Sequence, residues 1–412
     1  MKKNCYHIAF ALLSLLAAMV FAVPSSNART FRILHEFSGA ADGATPYAGL
    51  TIDSAGNLYG TTEFGGNVDC KCGTLFKITP AGKFWVLHRF HGADDAKNPN
   101  SPPILDSLGN IYGTTFEGGT SREGAVYKIS AGTETVLLSF GANMGSAGFV
   151  PVGVTLDPEG NLYGTTVLGG DPSCQFGSSG CGVIFKLNPS GEETVLHEFT
   201  NTPDGGEPFN GVIRDSEGNL YGTTRIGGNT TTCQSFGTGC GVVYKLDVNG
   251  NFQVLKAFNG ADGKFPSGRL VMGKHGNLYG TTLNGGSAGF GVVFQLVENS
   301  DGSWKYKVLH EFDKNPAAGP TGTLLLDQFG TLWGTTGGVV DGASVISTPT
   351  VFKMLHHTNG TWEFKVVHQF IGEPALIPTG DLAVDTAGRI YGSTASCSAA
   401  AGCQGTVFRI VP

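Results

Sequence analysis

Five segments of the sequence read Asn-Leu-Tyr-Gly-Thr-Thr, or the same with Ile, followed by two variable residues and Gly-Gly. The variable pairs are Glu63-Phe64, Phe116-Glu117, Val167-Leu168, Arg225-Ile226 and Leu283-Asn284. A repeated scaffold builds a site from such departures, so Glu63, Glu117 and Arg225 are candidates to bind or polarise a sugar or uronate. The two carboxylates would serve as acid and base if suitably separated. Solvated loop charge is the plainer reading of the same three residues.

Cysteines offer a second kind of chemistry. Apart from Cys5 they fall as Cys70 and Cys72, Cys174 and Cys181, Cys233 and Cys240, and Cys397 and Cys403. Each pair lies inside one inter-strand link, so pairing within the link is favoured, and an exported chain is expected to form disulfides. For Cys70 and Cys72 the Cα separation should lie at the limit of disulfide reach. Zinc sites use spacings such as C-x2-C plus two further ligands, which none of these pairs supplies. Neither a metal nor a cofactor is expected.

Histidines at 35, 88, 197, 310 and 368 recur at one place in the repeat, which argues for outer-strand side chains with local partners. His91, His275 and the His356-His357 pair are unrepeated and by themselves weak evidence for metal. Gly285-Gly-Ser287-Ala-Gly289 matches the G-x-S-x-G hydrolase pattern but sits in a hairpin link, whereas that elbow needs a strand-to-helix turn. Asp42, Asp94, Asp95, Asp204 and Asp262 lie in acidic loops that could ligate calcium. Asp-Gly turns are the favoured reading of them, and no EF-hand spacing is present. Asp42 and Asp262 remain candidates for a ligand-bearing face.

These groups are positioned by a repeat. Its aromatic residue falls at Tyr59, Tyr112, Tyr163, Tyr221, Tyr279, Trp333 and Tyr391, giving seven units at steps of 53, 51, 58, 58, 54 and 58 residues. Each unit contains four strand-like runs, here termed A to D. In the first unit they are residues 49–53, 57–62, 74–78 and 84–90, rich in β-branched and aromatic residues and bounded by turn formers. The A-to-B link Asp53-Ser-Ala-Gly56-Asn57 reads as a hairpin turn and makes its Asp structural. Because strands alternate in direction, the long B-to-C and D-to-A links share one face. The glycine of Tyr-Gly-Thr-Thr should permit close backbone approach or a bulge.

Residues 31–37 form a D strand with no A, B or C before it, and residues 406–410 a C strand with no D after it. The first strand can therefore complete the last sheet. The expected fold is all-β: a seven-bladed β-propeller with four antiparallel strands per blade, closed by the N-terminal strand.

Residues 1–28 carry Lys2 and Lys3, an apolar run from about Ile8 to Val23, and small residues before Arg29. They read as a signal peptide, with a membrane anchor as the alternative. The remaining 29–412 form one propeller domain with 24 basic and 33 acidic residues, a formal charge of −9. Nucleic acid is thus not an expected partner. No later segment is apolar enough to span a bilayer, so a secreted monomer in the periplasm or outside the cell is expected.

Gly-Asn-Leu-Tyr-Gly-Thr-Thr-x-x-Gly-Gly, followed by Gly-x-Val-Phe-Lys-Leu and Val-Leu-His-x-Phe, resembles the Gloeo/Verruco (GloVer) repeat family of exported bacterial proteins over residues 31–412. The resemblance implies a secreted or surface repeat protein and brings no activity with it. Two functions are open: a disulfide-stabilised module binding an extracellular glycan or protein, or a polysaccharide lyase or glycoside hydrolase on the long-loop face. Convergence of Glu63, Glu117 and Arg225 on one pocket would favour the enzyme.

Overall fold

The computed structural model describes residues 30–412 except 93, 142–147, 175–178, 230, 232, 234–238, 316, 342–343, 372–376, 379 and 396–403. The leader expected at 1–28 lies outside the described residues, as do Cys397 and Cys403.

Local chemistry fixes each A-to-B turn. The Asp53 carboxylate accepts from the amides of Ala55 and Asn57 at 3.0 and 2.8 Å, from the Asn57 side chain at 2.7 Å and from the Tyr59 hydroxyl at 3.0 Å. Burial acts to raise its pKa, but these donors together outweigh it and the pKa is lowered. Asp106, Asp157 and Asp215 bind the matching Asn and Tyr in the same way, and Asp327 takes the Trp333 indole NH at 2.9 Å. The repeated aromatic is therefore tied to the repeated Asp. Where the fifth unit has Gly273 instead, the turn becomes a short 3-10 element, Lys274–Gly276, and the Tyr279 hydroxyl accepts from Gln295 at 3.1 Å.

Strand B lies at the centre of each blade, and its glycine has a definite use. Gly164 pairs with Phe185 of strand C, and a Cβ added to it would stand 2.6 Å from the Phe185 ring. Gly60 faces Phe76 and Gly280 faces Phe294 in the same manner. The expected close approach is thus made chiefly by an aromatic ring of the same blade, joined at Gly164 by the backbone carbonyl of Gly153, 2.8 Å from the added Cβ.

Every C–D pair shifts register, as between Leu75 and Phe76 opposite Val86 and His88. The extra residue of this bulge, Leu87, turns inward onto the core, as do Leu34, Leu196, Leu255 and Leu309 elsewhere. The following histidine then meets an aromatic of the next blade. His35 stacks on Phe84 with centroids 3.7 Å apart, His197 on Phe252 at 3.9 Å and His310 on Phe364 at 3.9 Å.

Seven hydrophobic clusters fill the seven seams between adjacent blades. Burial of each Leu, Val or Phe there contributes about 1.5–3 kcal/mol. One seam joins Leu50, Leu58 and Phe76 of the first blade to Phe37, Ala383, Tyr391 and Val407 of the seventh. The closing strand Thr30–Glu36 pairs antiparallel with Thr406–Val411, from Thr30 opposite Val411 to Glu36 opposite Thr406. The fold is the expected seven-bladed β-propeller, four antiparallel strands to a blade. Strand A is split in the second and fifth blades, and the sixth carries an added hairpin, Val339–Asp341 with Ser344–Ser347. Among the described residues no helix is long and apolar enough to cross a membrane.

Candidate functional site

At the start of strand A in six of the seven blades the chain passes through a residue-proline step: Thr45-Pro46, Asn98-Pro99, Val150-Pro151, Glu207-Pro208, Phe265-Pro266 and Gly319-Pro320. The first residue of each holds a left-handed φ, between 53° and 65°. Such a conformation costs a non-glycine residue about 1–3 kcal/mol. What holds it is a bond between blades. The amide of Asn98 donates to the Cys72 carbonyl, that of Glu207 to Cys181 and that of Phe265 to Cys240, at 2.9, 2.9 and 3.0 Å. At the closing seam Thr45 donates to Gln404 at 2.6 Å.

The residues after these prolines line a central cavity of about 570 Å³ on the long-loop face. Its wall combines Tyr47, Asn100, Val152, Phe209, Ser267 and Thr321 from this step with Glu63, Phe116, Arg225 and Leu283 from the ends of the B strands. The B ends are pinned to the proline step of their own blade. The Glu63 amide donates to the Thr45 carbonyl at 2.9 Å and the Arg225 amide to Glu207 at 3.0 Å. The volume falls in the range of small-ligand sites.

Of the residues singled out by sequence, Glu63 and Arg225 converge here. Glu117 does not: it pairs with Lys97 at 2.5 Å and its side chain is 51% exposed. It stands second in its variable pair, and alternation along an extended strand turns it away from the cavity while Phe116, the first of that pair, faces in. Asp42 and Asp262 lie on the loop-bearing face but outside the cavity wall. Asp42 closes its own loop with Ser38 and meets His35 at 3.3 Å, and Asp262 pairs with Lys256. Ser287 of the G-x-S-x-G segment bonds Glu311 in a strand-to-strand link.

The Arg225 guanidinium lies over the rings of Phe209 and Phe265, 5.4 and 5.9 Å from their centroids. It makes no ion pair among the described residues. Burial and the Glu117 charge raise the pKa of Glu63, whose carboxylate has no hydrogen bond among the described residues. The Tyr47 hydroxyl is pushed up by burial and by Glu63, against the opposing pull of Arg225. Burial likewise raises Glu207 although Arg225 counters it. Asp381, the second carboxylate of the wall, is committed: it accepts from the Thr323 amide at 3.1 Å and lies 3.9 Å from Arg269. Tyr47, Phe116 and Phe209 are 52, 43 and 37% exposed, so aromatic faces are open to a ligand.

Three disulfides brace the loops: Cys70–Cys72, Cys174–Cys181 and Cys233–Cys240, with Cα separations of 5.2, 5.8 and 5.7 Å. The first is not at the limit of reach as its spacing suggested. Lys71, at φ 51°, folds the chain back and brings the two Cα atoms into the ordinary range. The fourth expected bridge, from Cys397 to Cys403, is not among these three, because both Cys397 and Cys403 lie outside the described residues.

No curated protein matches the chain. Among solved structures it is similar to the extracellular domain of a one-component system from B. thetaiotaomicron, 10% identical with a TM-score of 0.54 over 92% of this chain and 39% of that one. It is also similar to PorZ, a bacterial surface component of the type-IX secretion system of Porphyromonas gingivalis, 13% identical with a TM-score of 0.51 over 87% of this chain and 46% of that one. A gluconolactonase from Xanthomonas campestris is 13% identical with a TM-score of 0.43, over 93% and 89% of the two chains. Likeness at these identities concerns the fold alone. The model of the Gloeobacter/Verrucomicrobia repeat matches residues 17–236 and 172–408, and the chain belongs to that family.

Proposed function

We propose that the protein is an exported, disulfide-stabilised binding module that takes an acidic saccharide, such as a uronate-containing oligosaccharide, in its central cavity. The observation that carries this reading is Arg225, a cation with no ion pair among the described residues, held against two phenyl rings in a cavity wall of open aromatic faces and neutral hydrogen-bonding groups. A guanidinium in that setting offers a planar fork to a carboxylate. The aromatic faces suit the apolar face of a sugar ring, and Asn100, Ser267 and Thr321 suit its hydroxyls. Disulfides and the expected leader support export.

Binding is favoured over hydrolysis because the general acid and base of a glycosidase need two available carboxylates. Of the two in this wall, Asp381 is tied to Thr323 and Arg269. Glu63 with its raised pKa, beside Tyr47 and Arg225, keeps a lyase as the second reading. A screen of neutral and uronate oligosaccharides for binding, run beside an assay for chain cleavage, tests both. Saturable binding of uronates without new chain ends supports the module, cleavage supports the lyase, and equal binding of neutral and acidic sugars contradicts the role of Arg225.

A further inference from the structure

We propose that His88, His91, Asp95 and Glu134 form a binding site for one divalent cation of zinc type at the outer seam between the first and second blades. The ligand atoms of His88, His91 and Asp95 lie within 4.8 Å of one another. Glu134 adds a fourth, its Oε2 standing 2.5 Å from Nε2 of His88. The approach lacks hydrogen-bond alignment: both atoms are buried and neither has a hydrogen bond. Ligand atoms around a tetrahedral zinc ion stand about 3.3 Å apart, so the set is completed when Glu134 and His88 draw slightly apart and His91 and Asp95 move inward.

The repeat shows that this cluster is a departure and not a by-product of the fold. In other seams the histidine of strand D meets an aromatic of the next blade, Phe84 for His35, Phe252 for His197 and Phe364 for His310. At His88 the aromatic is replaced by Glu134. Glu193 takes the same place in the third blade, but the second blade has Leu138 where the histidine would be. His91 in turn stands where other units carry Ser38, Thr200 and Asn259. Two substitutions, distant in sequence, thus place two ligating groups around one recurring feature of the repeat.

The carboxylates are already oriented. Asp95 accepts from the Ala96 and His91 amides at 2.9 and 3.0 Å, and Oε1 of Glu134 accepts from the Ala96 amide at 3.2 Å. Each keeps lone pairs for a cation. The Glu134 side chain is 7% exposed and that of His91 is 63% exposed, so the set has a buried floor and an open entrance. Two imidazoles and two carboxylates select a borderline divalent ion such as zinc over calcium or magnesium, which prefer oxygen alone. The site is separate from the central cavity, and the ion would pin the first two blades together.

The test uses the chain purified without a polyhistidine tag and stripped with a chelator, then titrated with zinc by calorimetry and by thermal unfolding. H91S and E134F install residues that the repeat itself carries at those places, Ser38 and Phe84, and both should unfold in chelator near the wild-type temperature. The wild type should bind one zinc ion with a Kd below about 10 μM and gain several degrees in Tm, while each variant binds at least about tenfold more weakly and loses the gain. Absence of saturable binding to the wild type at about 100 μM zinc, or undiminished binding by both variants, would overturn the proposal.

Discussion

Gly182, at the entry to strand C of the third blade, faces Pro208 of the fourth so closely that a Cβ built on it would stand 2.7 Å from the proline Cδ. Gly73 meets Pro99, Gly124 meets Pro151, Gly241 meets Pro266 and Gly291 meets Pro320 in the same way, and Gly405 closes the ring on Pro46. These contacts set where each residue-proline step enters the cavity wall. They link the seams to the site.

Gly182→Ala should therefore reach the cavity as well as stability. The added methyl would collide with the Thr166 carbonyl and Pro208, at a residue whose φ of 94° disfavours a side chain. We expect a loss of about 2–4 kcal/mol by urea unfolding. Displacement of Phe209 should also weaken ligand binding. A loss below about 0.5 kcal/mol, the range of an ordinary surface change, would contradict this account of the seam.

Gly164→Val places bulk where the Phe185 ring lies. Overpacking of this kind costs about 1–3 kcal/mol, and the double variant with Phe185→Ala should cost less than the sum of the two single changes. Chemical denaturation of the four proteins gives the coupling. Strict additivity would show that the ring does not fill that space.

Acid should destabilise the fold through three buried histidines of the outer strands, His310, His368 and His35. Burial against Phe364 lowers the pKa of His310 to about 4 despite the charges of Asp313 and Glu311, and burial also lowers His368 and His35. The unfolded chain then takes up protons that the folded chain refuses. Stability is full above the ordinary histidine value and falls from there towards about pH 4, by at most about 3 kcal/mol for His310. In His310→Phe the denaturation midpoint should vary less with pH across this window. A profile identical to wild type would contradict the assignment.

Much of this was legible in the sequence, because the B and C motifs repeat almost unchanged and the orphan first strand implied closure. The turn Asp residues were recognised from Asp-x-x-Gly-Asn, though not their bonds to Tyr59 or Trp333, which depend on strand B folding over the turn. The site was half legible. Glu63 and Arg225 were found as departures, but Glu117 was included because a strand's in-and-out alternation continues past its regular pairing. Phe209, Phe265 and Tyr47 were missed. Their signal is a proline recurring at 46, 99, 151, 208, 266, 320 and 378 with a variable residue beside it, and strained pre-proline geometry is set by tertiary hydrogen bonds that no local pattern displays. The D-strand bulge was likewise invisible, since Val-Leu-His reads as plain alternation until packing turns Leu87 inward.

The most direct test of the central claim is calorimetric titration of a uronate tetrasaccharide into the wild type and Arg225→Ala. Removing a cation that makes no ion pair among the described residues should leave stability within about 0.5 kcal/mol while weakening binding at least about tenfold, and added salt should weaken the wild type more than the variant. Equal affinity and equal salt dependence in the two proteins would contradict recognition of an acidic sugar at Arg225.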